Sequence, residues 1–539
     1  MNPSQVDSFN EIFTHCRRTL GSNAWGKVLA ALSETCQPDT FPDALRSLTA
    51  PLGLPDFIHD LARIEWVWHG IQADPTRIHQ PPQALTPNPT LTLTPVSWKN
   101  LPARIHAEPE KQPPAPDPSP VQVMTWRCLK TGERRIREAD SIDLLALKII
   151  VEGIDPREAA FAGQVKVGAI HRALDRAVSQ GILLAPESGI ARHGFSNLKG
   201  TDPYGTFLQA DVFTLQWHIT QACDLRCKHC YDRSERTPMA KETAMAVLED
   251  FYGFCQQMHV QGQVTFTGGN PMLYPHFMHI YRAASDLGFS LAILGNPTPV
   301  HRIEELLQIA TPAYFQISLE GLAEHNDEIR GKGHFQRSLD FLDQLRGLGI
   351  YTMVMLTATC DNLNQILPLS DFLGDRTDAF TFNRLSTVGE GAQLMMPDPK
   401  DFEAFLREYE AAARKNPRLG LKDNLFNIIR TENGMPPFGG CTGYGCGAAF
   451  NFVSLLPDGE VHACRKFPSL IGNIFETDLM AIYHSDLARR YRNGSDTCRS
   501  CRLAVVCRGC LAITHSRGLN IFKDRDPFCF ASEEIRSPT

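Results

Sequence analysis

The sequence predicts an α/β protein built on a partial (β/α)6 barrel. A helical N-terminal region and a small strand-and-helix module precede the barrel, and a cysteine-rich C-terminal domain follows it. Three observations carry this expectation. Between residues 213 and 395, strand-like apolar runs alternate six times with amphipathic helical patterns. Directly after the first run comes Cys223-Asp-Leu-Arg-Cys227-Lys-His-Cys230, and eight further cysteines are gathered between 441 and 529.

Bulk properties narrow the class. A chain of 539 residues exceeds one ordinary core, which makes two to four domains the expectation. Hydrophobic content of 43% and charged content of 21% fit a soluble globular protein, and a net charge of −7 disfavours nucleic acid as the partner. No uninterrupted apolar run reaches about 18 residues, and no basic-then-apolar leader opens the chain. No membrane association and a cytoplasmic location are therefore expected. Sixteen cysteines would suit a secreted disulfide protein, but eleven fall into two tight spacing groups, which favours metal binding.

Residues 1–75 read as a small helical region, with candidate helices at Phe9–Leu20, Trp25–Leu32 and Pro55–Trp68. Cys16 and Cys36 have no close partner cysteine and read as buried thiols. Residues 76–120 are proline-rich (Pro81-Pro82, Pro87, Pro89, Pro95, Pro113-Pro114, Pro116, Pro118, Pro120) and read as a semi-extended linker with a short strand at Leu91–Val96. Residues 121–200 look folded. Val121–Leu129 and Arg134–Ile136 flank the turn Lys130-Thr131-Gly132-Glu133, helical patterns follow at Ile142–Val151, Pro156–Ala162 and Val167–Ser179, and Gly181–Ala185 reads as a closing strand.

The six barrel strands are expected at Phe213–Ile219, Val264–Thr267, Ser290–Leu294, Tyr314–Leu319, Tyr351–Thr357 and Ala379–Leu385. Lys241–Met258 is the clearest helix between them, with Cys255 on its apolar face. Such units make a TIM-type partial barrel over residues 208–395, whose chemistry sits at the C-terminal strand ends. The octapeptide Cys223–Cys230 falls at such an end. A connecting helical segment spans 396–440, and a cysteine-rich domain spans 441–539.

Three thiolates on one loop can each take one iron of a [4Fe–4S] cube, leaving the fourth iron open to a small molecule. Zinc stays open as an alternative, although it would need a fourth ligand and His229, between two cysteines, is poorly placed to give it. The spacing Cys-x3-Cys-x2-Cys resembles the signature of the radical SAM superfamily, which implies Cys223, Cys227 and Cys230 as cluster ligands and S-adenosylmethionine (SAM) as the guest of the open iron. Thr267-Gly268-Gly269-Asn270-Pro271 resembles that family's Gly-Gly-Glu-Pro segment, which binds the methionyl amino group; here Asn270 replaces the acid and brings no charge. Gly295-Asn296 lies where the family often has an Asn-Gly turn. Ser318-Leu-Glu320-Gly321…His325-Asn-Asp327…Arg330-Gly331 resembles a segment of a peptide-modifying subgroup, which implies Ser318 near the SAM ribose, Arg330 near its carboxylate and Glu320 beside them. Ordinary turn and capping chemistry stays open for each.

The tail reads Cys441-x4-Cys446-x12-Gly459-x4-Cys464, then Cys498-x2-Cys501-x5-Cys507-x2-Cys510-x18-Cys529. Paired Cys-x2-Cys also suits structural zinc. The pattern resembles the SPASM domain, which holds two auxiliary [4Fe–4S] clusters. The resemblance implies an interleaved set, Cys441, Cys446, Cys464 and Cys510 for the nearer cluster and Cys498, Cys501, Cys507 and Cys529 for the farther. The Cys507–Cys510 spacing is one residue shorter than is usual in that family. In sulfatase-maturing relatives an Asp acting as base follows the third of these cysteines; here Arg465 follows Cys464 and stays protonated, which argues against that activity. Tyr231, His229 and Asp232 adjoin the cluster loop, but the sequence assigns none of them as a base.

The resemblance implies an enzyme that takes an electron from a low-potential flavodoxin or ferredoxin and cleaves SAM reductively to a 5′-deoxyadenosyl radical. That radical then abstracts hydrogen from a substrate. The 121–200 module resembles both a winged helix and the leader-peptide recognition domain related to the pyrroloquinoline-quinone peptide chaperone, which binds peptides by strand addition. A purely structural module, or a nucleic-acid reader using His171, Arg172 and Arg176, stays open. With a SPASM tail, the expected substrate is a ribosomal precursor peptide that receives a cross-link or other oxidative modification. The long N-terminal extension resembles the layout of thio(seleno)oxazole-type peptide maturases. A radical SAM enzyme on a small molecule, or an iron–sulfur electron carrier, are the alternatives.

Overall fold

The computed structural model describes residues 3–73, 82–106, 113–129, 131–193 and 203–536. The start of the proline-rich stretch through Pro81, Lys130 of the expected turn, and residues 194–200 of the second expected module lie outside them. The chain divides into two compact units, Met1–Glu187 and Ser188–Thr539.

The first unit opens with helices Pro3–Ile12, Thr14–Ala31, Phe41–Leu52 and Ile58–Ala73. They surround Phe9, Phe13, Trp25 and Phe41, whose rings pack at 4.4–5.8 Å. The helix Phe41–Leu52 was not expected from the pattern. Its Pro42 sits in the first turn, where the missing N–H costs nothing, and Gly53 closes it at φ +62. Cys16 and Cys36 are buried.

The proline-rich stretch is more ordered than a linker. It supplies strands β1 (Thr86–Pro87) and β2 (Thr92–Val96) and a helix, Pro102–His106. β2 pairs with β3 (Val121–Arg127), and β3 with β4 (Arg134–Glu138), in an antiparallel sheet of order β2-β3-β4. Pro95 is tolerated because β2 is an edge strand. The closing strand shrinks to β5 (Leu183–Leu184), which pairs with β1 instead of the hairpin. Helices Ser141–Glu152, Pro156–Ala162 and Val167–Ser179 follow the hairpin; Asp140 and Asp143 form a capping box on the first of them, and Asp143 holds Arg137 at 2.5 and 2.7 Å. Three expected pieces form one unit because polar contacts stitch them together. Ser97 N donates to Asp60 at 2.8 Å, and Arg127 donates to the Ile71 carbonyl at 2.6 Å.

The second unit contains the barrel. Its parallel strands are β6 (Val212–Thr220), β7 (Gln261–Gly268), β8 (Ser290–Leu294), β9 (Tyr314–Ser318), β10 (Thr352–Ala358) and β11 (Ala379–Arg384). Three tail strands, β12 (Phe452–Leu455), β13 (Glu460–His462) and β14 (Leu470–Asn473), extend the same sheet, in the order β11-β10-β9-β8-β7-β6-β12-β13-β14. β12 runs parallel to β6, with Val453 opposite Leu215. The cysteine-rich domain is therefore fused to the barrel sheet. Helices Pro399–Ala413 and Phe426–Glu432 bridge the two, packing Phe402, Phe405, Tyr409 and Phe426 around Phe382 at 5.0–6.2 Å.

Strand alternation sets what the barrel encloses. On β6, Phe213, Leu215, Trp217 and Ile219 are fully buried in the hydrophobic core. Their neighbours Thr214, Gln216 and His218 line an internal cavity, as do Thr265, Thr267, Gln316, Ser318, Thr357 and Asn383 from other strands. No helix among the described residues is long and apolar enough to cross a membrane.

Candidate active site

β6 delivers the chain through Gln221-Ala222 into the loop Cys223–Cys230 at the C-terminal strand ends. Gly268 and Gly269 hold that loop against β7. Gly268 adopts φ +130, and a Cβ there would come within 2.2 Å of the Thr220 carbonyl; one on Gly269 would come within 2.1 Å of the Ala222 carbonyl. Gly269 N and Asn270 N instead donate to those two carbonyls, each at 2.8 Å. The glycines thus seat the cysteine loop by close backbone approach.

A cavity of about 720 Å³ opens above this floor. Cys223, Cys227 and Cys230 line one wall, with Gly268, Gly269, Asn296, Ser318 and Arg330; Cys441 and Cys464 line another. Three sequence-predicted contacts, Asn270, Pro271 and Glu320, lie buried behind the lining. Glu320 is locked there: its Oε1 accepts from Arg330 Nε (2.9 Å) and Nη2 (2.6 Å), and its Oε2 accepts from Thr357 N (2.8 Å). Burial works against the Glu320 charge, but His229, Arg330 and the hydrogen bonds together hold its carboxyl below the usual range. The far side of Arg330 reaches Cys227 Sγ at 3.6 Å, and Asn296 Nδ2 reaches Cys223 Sγ at 3.7 Å. Two donors therefore point at loop sulfurs, a feature that tunes a thiolate-bound cluster.

The residues beside the loop are committed elsewhere. Burial pushes His229 down to about 4, and its Nε2 lies 3.4 Å from both Glu320 and Arg330. Burial pushes the Tyr231 phenol up to about 12, and the Arg465 guanidinium sits 5.4 Å from its ring. Asp232 pairs with Arg465 and accepts from Gln221 Nε2 at 2.7 Å. Arg465 thus anchors the cysteine loop to the tail. Sequence reasoning did not find two other cavity residues. His218 is 2% exposed, is held neutral by burial and has no hydrogen-bond partner at Nε2 among the described residues. Lys422 is lowered by burial and has Met355 Sδ at 3.9 Å. Period-two alternation on β6 could have flagged His218; nothing local marks Lys422.

Four of the tail thiols line one cavity. A smaller cavity of about 60 Å³ is lined by Cys441, Cys446, Cys464 and Cys510 together. Burial first, and then charge on neighbouring thiols, raises Cys507, Cys498 and Cys501: Cys507 lies near Cys529, Cys498 and Cys501, Cys498 near Cys529 and Cys501, and Cys501 near Cys529. Cys510 lines that smaller cavity and Cys507, three residues before it, does not. Arg384, 4% exposed at the end of β11, ties the tail to the barrel. It pairs bidentately with Asp526 (3.0 and 2.7 Å), whose Oδ2 accepts from Cys510 N at 3.0 Å, and it meets Asp423 at 2.6 Å.

Among the described residues, no three His, Cys, Asp or Glu side chains converge as ligands of a single metal ion would. The fit to iron–sulfur chemistry rests on groups made only of thiols, three from the loop that open on the larger cavity and four from the tail that line the smaller one. Such an arrangement defines a cluster-bearing oxidoreductase with an open catalytic end. Residues 217–373 match the radical SAM superfamily, and residues 446–510 match the SPASM iron–sulfur cluster-binding domain. The chain is a radical SAM enzyme with a SPASM domain, and its cofactors are SAM and [4Fe–4S] clusters.

Relatives fall in more than one activity. The AdoMet-dependent heme synthase of Methanosarcina barkeri is 27% identical over 58% of this chain and 95% of its own length. The mycofactocin maturase MftC of Mycolicibacterium smegmatis is 29% identical over 58% of this chain and 82% of its own. Among solved structures, Streptococcus suis SuiB aligns with a TM-score of 0.50 and 18% identity, covering 76% of this chain and 96% of that one, which is a likeness of fold.

Proposed function

We propose that the protein is a peptide maturase, which abstracts hydrogen from a ribosomally made precursor peptide to form a cross-link or other oxidative modification. Cys223, Cys227 and Cys230 would hold the SAM-binding cluster. Cys441, Cys446, Cys464 and Cys510 would hold the nearer auxiliary cluster, and Cys498, Cys501, Cys507 and Cys529 the farther. When bound, the first cluster supplies the electron that cleaves SAM; a flavodoxin or ferredoxin is its proposed source. Around it, Arg330 and Asn296 donate toward the loop sulfurs, and Ser318 faces the cavity where the nucleoside would lie. Gly268 and Gly269 fix the loop.

The observation that carries the substrate reading is the first unit. Its antiparallel sheet ends on the hairpin strand β4, which pairs only with β3 among the described strands, and three helices follow. Apolar side chains stand exposed on those helices, Phe161 at 88% and Val151 at 69%. A sheet edge is what strand addition by a peptide uses, and exposed apolar groups elsewhere on the same unit are what the side chains of a bound peptide would cover. Similarity to a maturase supports the same reading. A small-molecule substrate is the second reading, favoured by similarity to a heme synthase.

The test is anaerobic incubation of reconstituted protein with SAM, reductant and a precursor peptide encoded beside its gene, read by peptide mass, with Cys223→Ala in parallel. A mass change that requires Cys223 and accompanies 5′-deoxyadenosine supports peptide maturation. 5′-Deoxyadenosine with an untouched peptide moves the substrate to the small-molecule reading.

A further inference from the structure

The charged side chains that line the larger cavity are far from balanced: seven are arginine or lysine, and one, Asp232, is a carboxylate. Four of the cations have carboxylate partners. Arg465 pairs with Asp232, Arg330 with Glu320 at 2.6 Å and Arg384 with Asp526 at 2.7 Å, and Arg233 lies 3.8 Å from Glu390. Arg226 is exposed on the cysteine loop, where water solvates it. Lys422 and Lys466 differ. Both line the cavity, both are half-buried, and among the described residues neither has a carboxylate partner.

The bonds these two ammonium groups do make are weak ones. Lys422 Nζ has Met355 Sδ on β10 at 3.9 Å, and that sulfur, a poor acceptor, already accepts from Asn383 Nδ2 at 2.7 Å. Lys466 Nζ donates to the Arg384 carbonyl at 3.4 Å. An ammonium carries three donors, so most of the donor capacity of the pair is unused by the protein. Burial works against the Lys422 charge first; charge on Cys441 and Cys464 supports it, and the nearby Lys466 opposes it. Two neighbouring cations in a partly desolvated wall call for an anion between them. The side chains closest on the barrel strands, Met355 and Asn383, bring no charge. A guest that fills the cavity meets the loop thiols on one wall and these lysines on another.

We propose that Lys422 and Lys466 form a subsite that receives a carboxylate of the substrate, an Asp or Glu side chain in a peptide or a propionate in a small molecule. The two oxygens of a carboxylate give one acceptor to each ammonium. The inference deepens the reading of this cavity as the place where substrate meets the SAM-binding cluster, and it rests on that reading. It gives both lysines a substrate-binding role: they fix which part of the substrate faces the loop.

The test is equilibrium binding to anaerobically reconstituted full-length protein, with iron content measured on each sample. The probes are the precursor peptide encoded beside the gene, the same peptide with each Asp or Glu changed singly to Asn or Gln, an iron porphyrin with free propionates, and its methyl ester. The wild type should bind one native probe and bind it about 10- to 100-fold more weakly once the matching carboxylate is neutralised, the scale of a charge-assisted hydrogen bond. Lys422→Met, which keeps the length and removes the charge, should bind native and neutralised probes alike, and Lys422→Arg should keep the wild-type preference. Peptide binding that no single neutralisation weakens overturns the subsite and leaves the peptide reading in place. Porphyrin binding that needs both its propionates and Lys422 supports the subsite and removes the peptide reading. A carboxylate preference that survives in Lys422→Met and in Lys422→Met/Lys466→Met overturns the proposal. Loss of tail iron in Lys422→Met with the preference intact also overturns it, by assigning the lysine to the auxiliary cluster. Binding of neither native probe by a sample that cleaves SAM overturns the subsite and both substrate readings together.

Discussion

The cysteine loop and the tail solve the same problem, gathering thiols, in opposite ways. The loop draws three thiols from one octapeptide, and its local backbone does the work: β6 aims it, and Gly268 and Gly269 admit it against β7. Cys223 is exposed, and Cys227 and Cys230 are half-buried at a cavity wall. The tail draws eight thiols from nearly ninety residues and must rely on tertiary contacts. Burial there is uneven, from exposed Cys441 to buried Cys507, and it pushes Cys464 up to about 12 and Cys498 and Cys510 to about 11. A site of four thiols would suit a cluster that is fully ligated and held for electron transfer or support, and a site of three one that must meet a ligand.

The sharpest break of this contrast is Cys223→Ala. It should abolish SAM cleavage while the tail keeps its iron, measured as 5′-deoxyadenosine yield against iron per chain. Cys464→Ala should do the reverse, losing the iron of the nearer auxiliary set and leaving uncoupled SAM cleavage in place. Arg384→Ala tests whether the tail depends on distant contacts. It leaves Asp423 and Asp526 buried without their cation, at a cost on the order of 3–5 kcal/mol, and should lower the urea midpoint and loosen iron at Cys510. The smallest effect lies in the first unit. There Glu65, 1% exposed and accepting from His15 N and Cys16 N at 2.5 and 2.8 Å, is raised by burial from 4.5 to about 7. A carboxyl raised in the fold stabilises its protonated form. That contribution is complete below about 4.5 and disappears as pH rises through about 7, and it amounts to at most a few kcal/mol. Glu65→Gln should flatten the pH dependence of the first unfolding transition of the full chain over that window.

The same contrast explains what was legible in the sequence. The six barrel strands were readable within a few residues because each is an apolar run bounded by turns, and Ser290–Leu294 was readable to the residue. The cysteine loop was readable because its three cysteines lie within one octapeptide. The fusion of β12 to β6 was not, since a parallel pairing between Val453 and Leu215 leaves no local mark. The helix Phe41–Leu52 was hidden by its prolines, whereas β2 was readable as the short strand Leu91–Val96 despite the prolines around it. Among site residues, Arg330 and Glu320 were found by motif, but their mutual ion pair was not. The approach of Lys422 and Lys466 joins two distant loops and needed coordinates.

The most direct test of the account is electron paramagnetic resonance of the anaerobically reduced protein, wild type and Cys223→Ala/Cys227→Ala/Cys230→Ala, with and without SAM. The account predicts that the wild type shows one cluster signal that shifts when SAM is added, and that the triple variant loses that signal alone while retaining the auxiliary signals. A triple variant whose spectrum still responds to SAM, or a wild type whose spectrum never does, would contradict it.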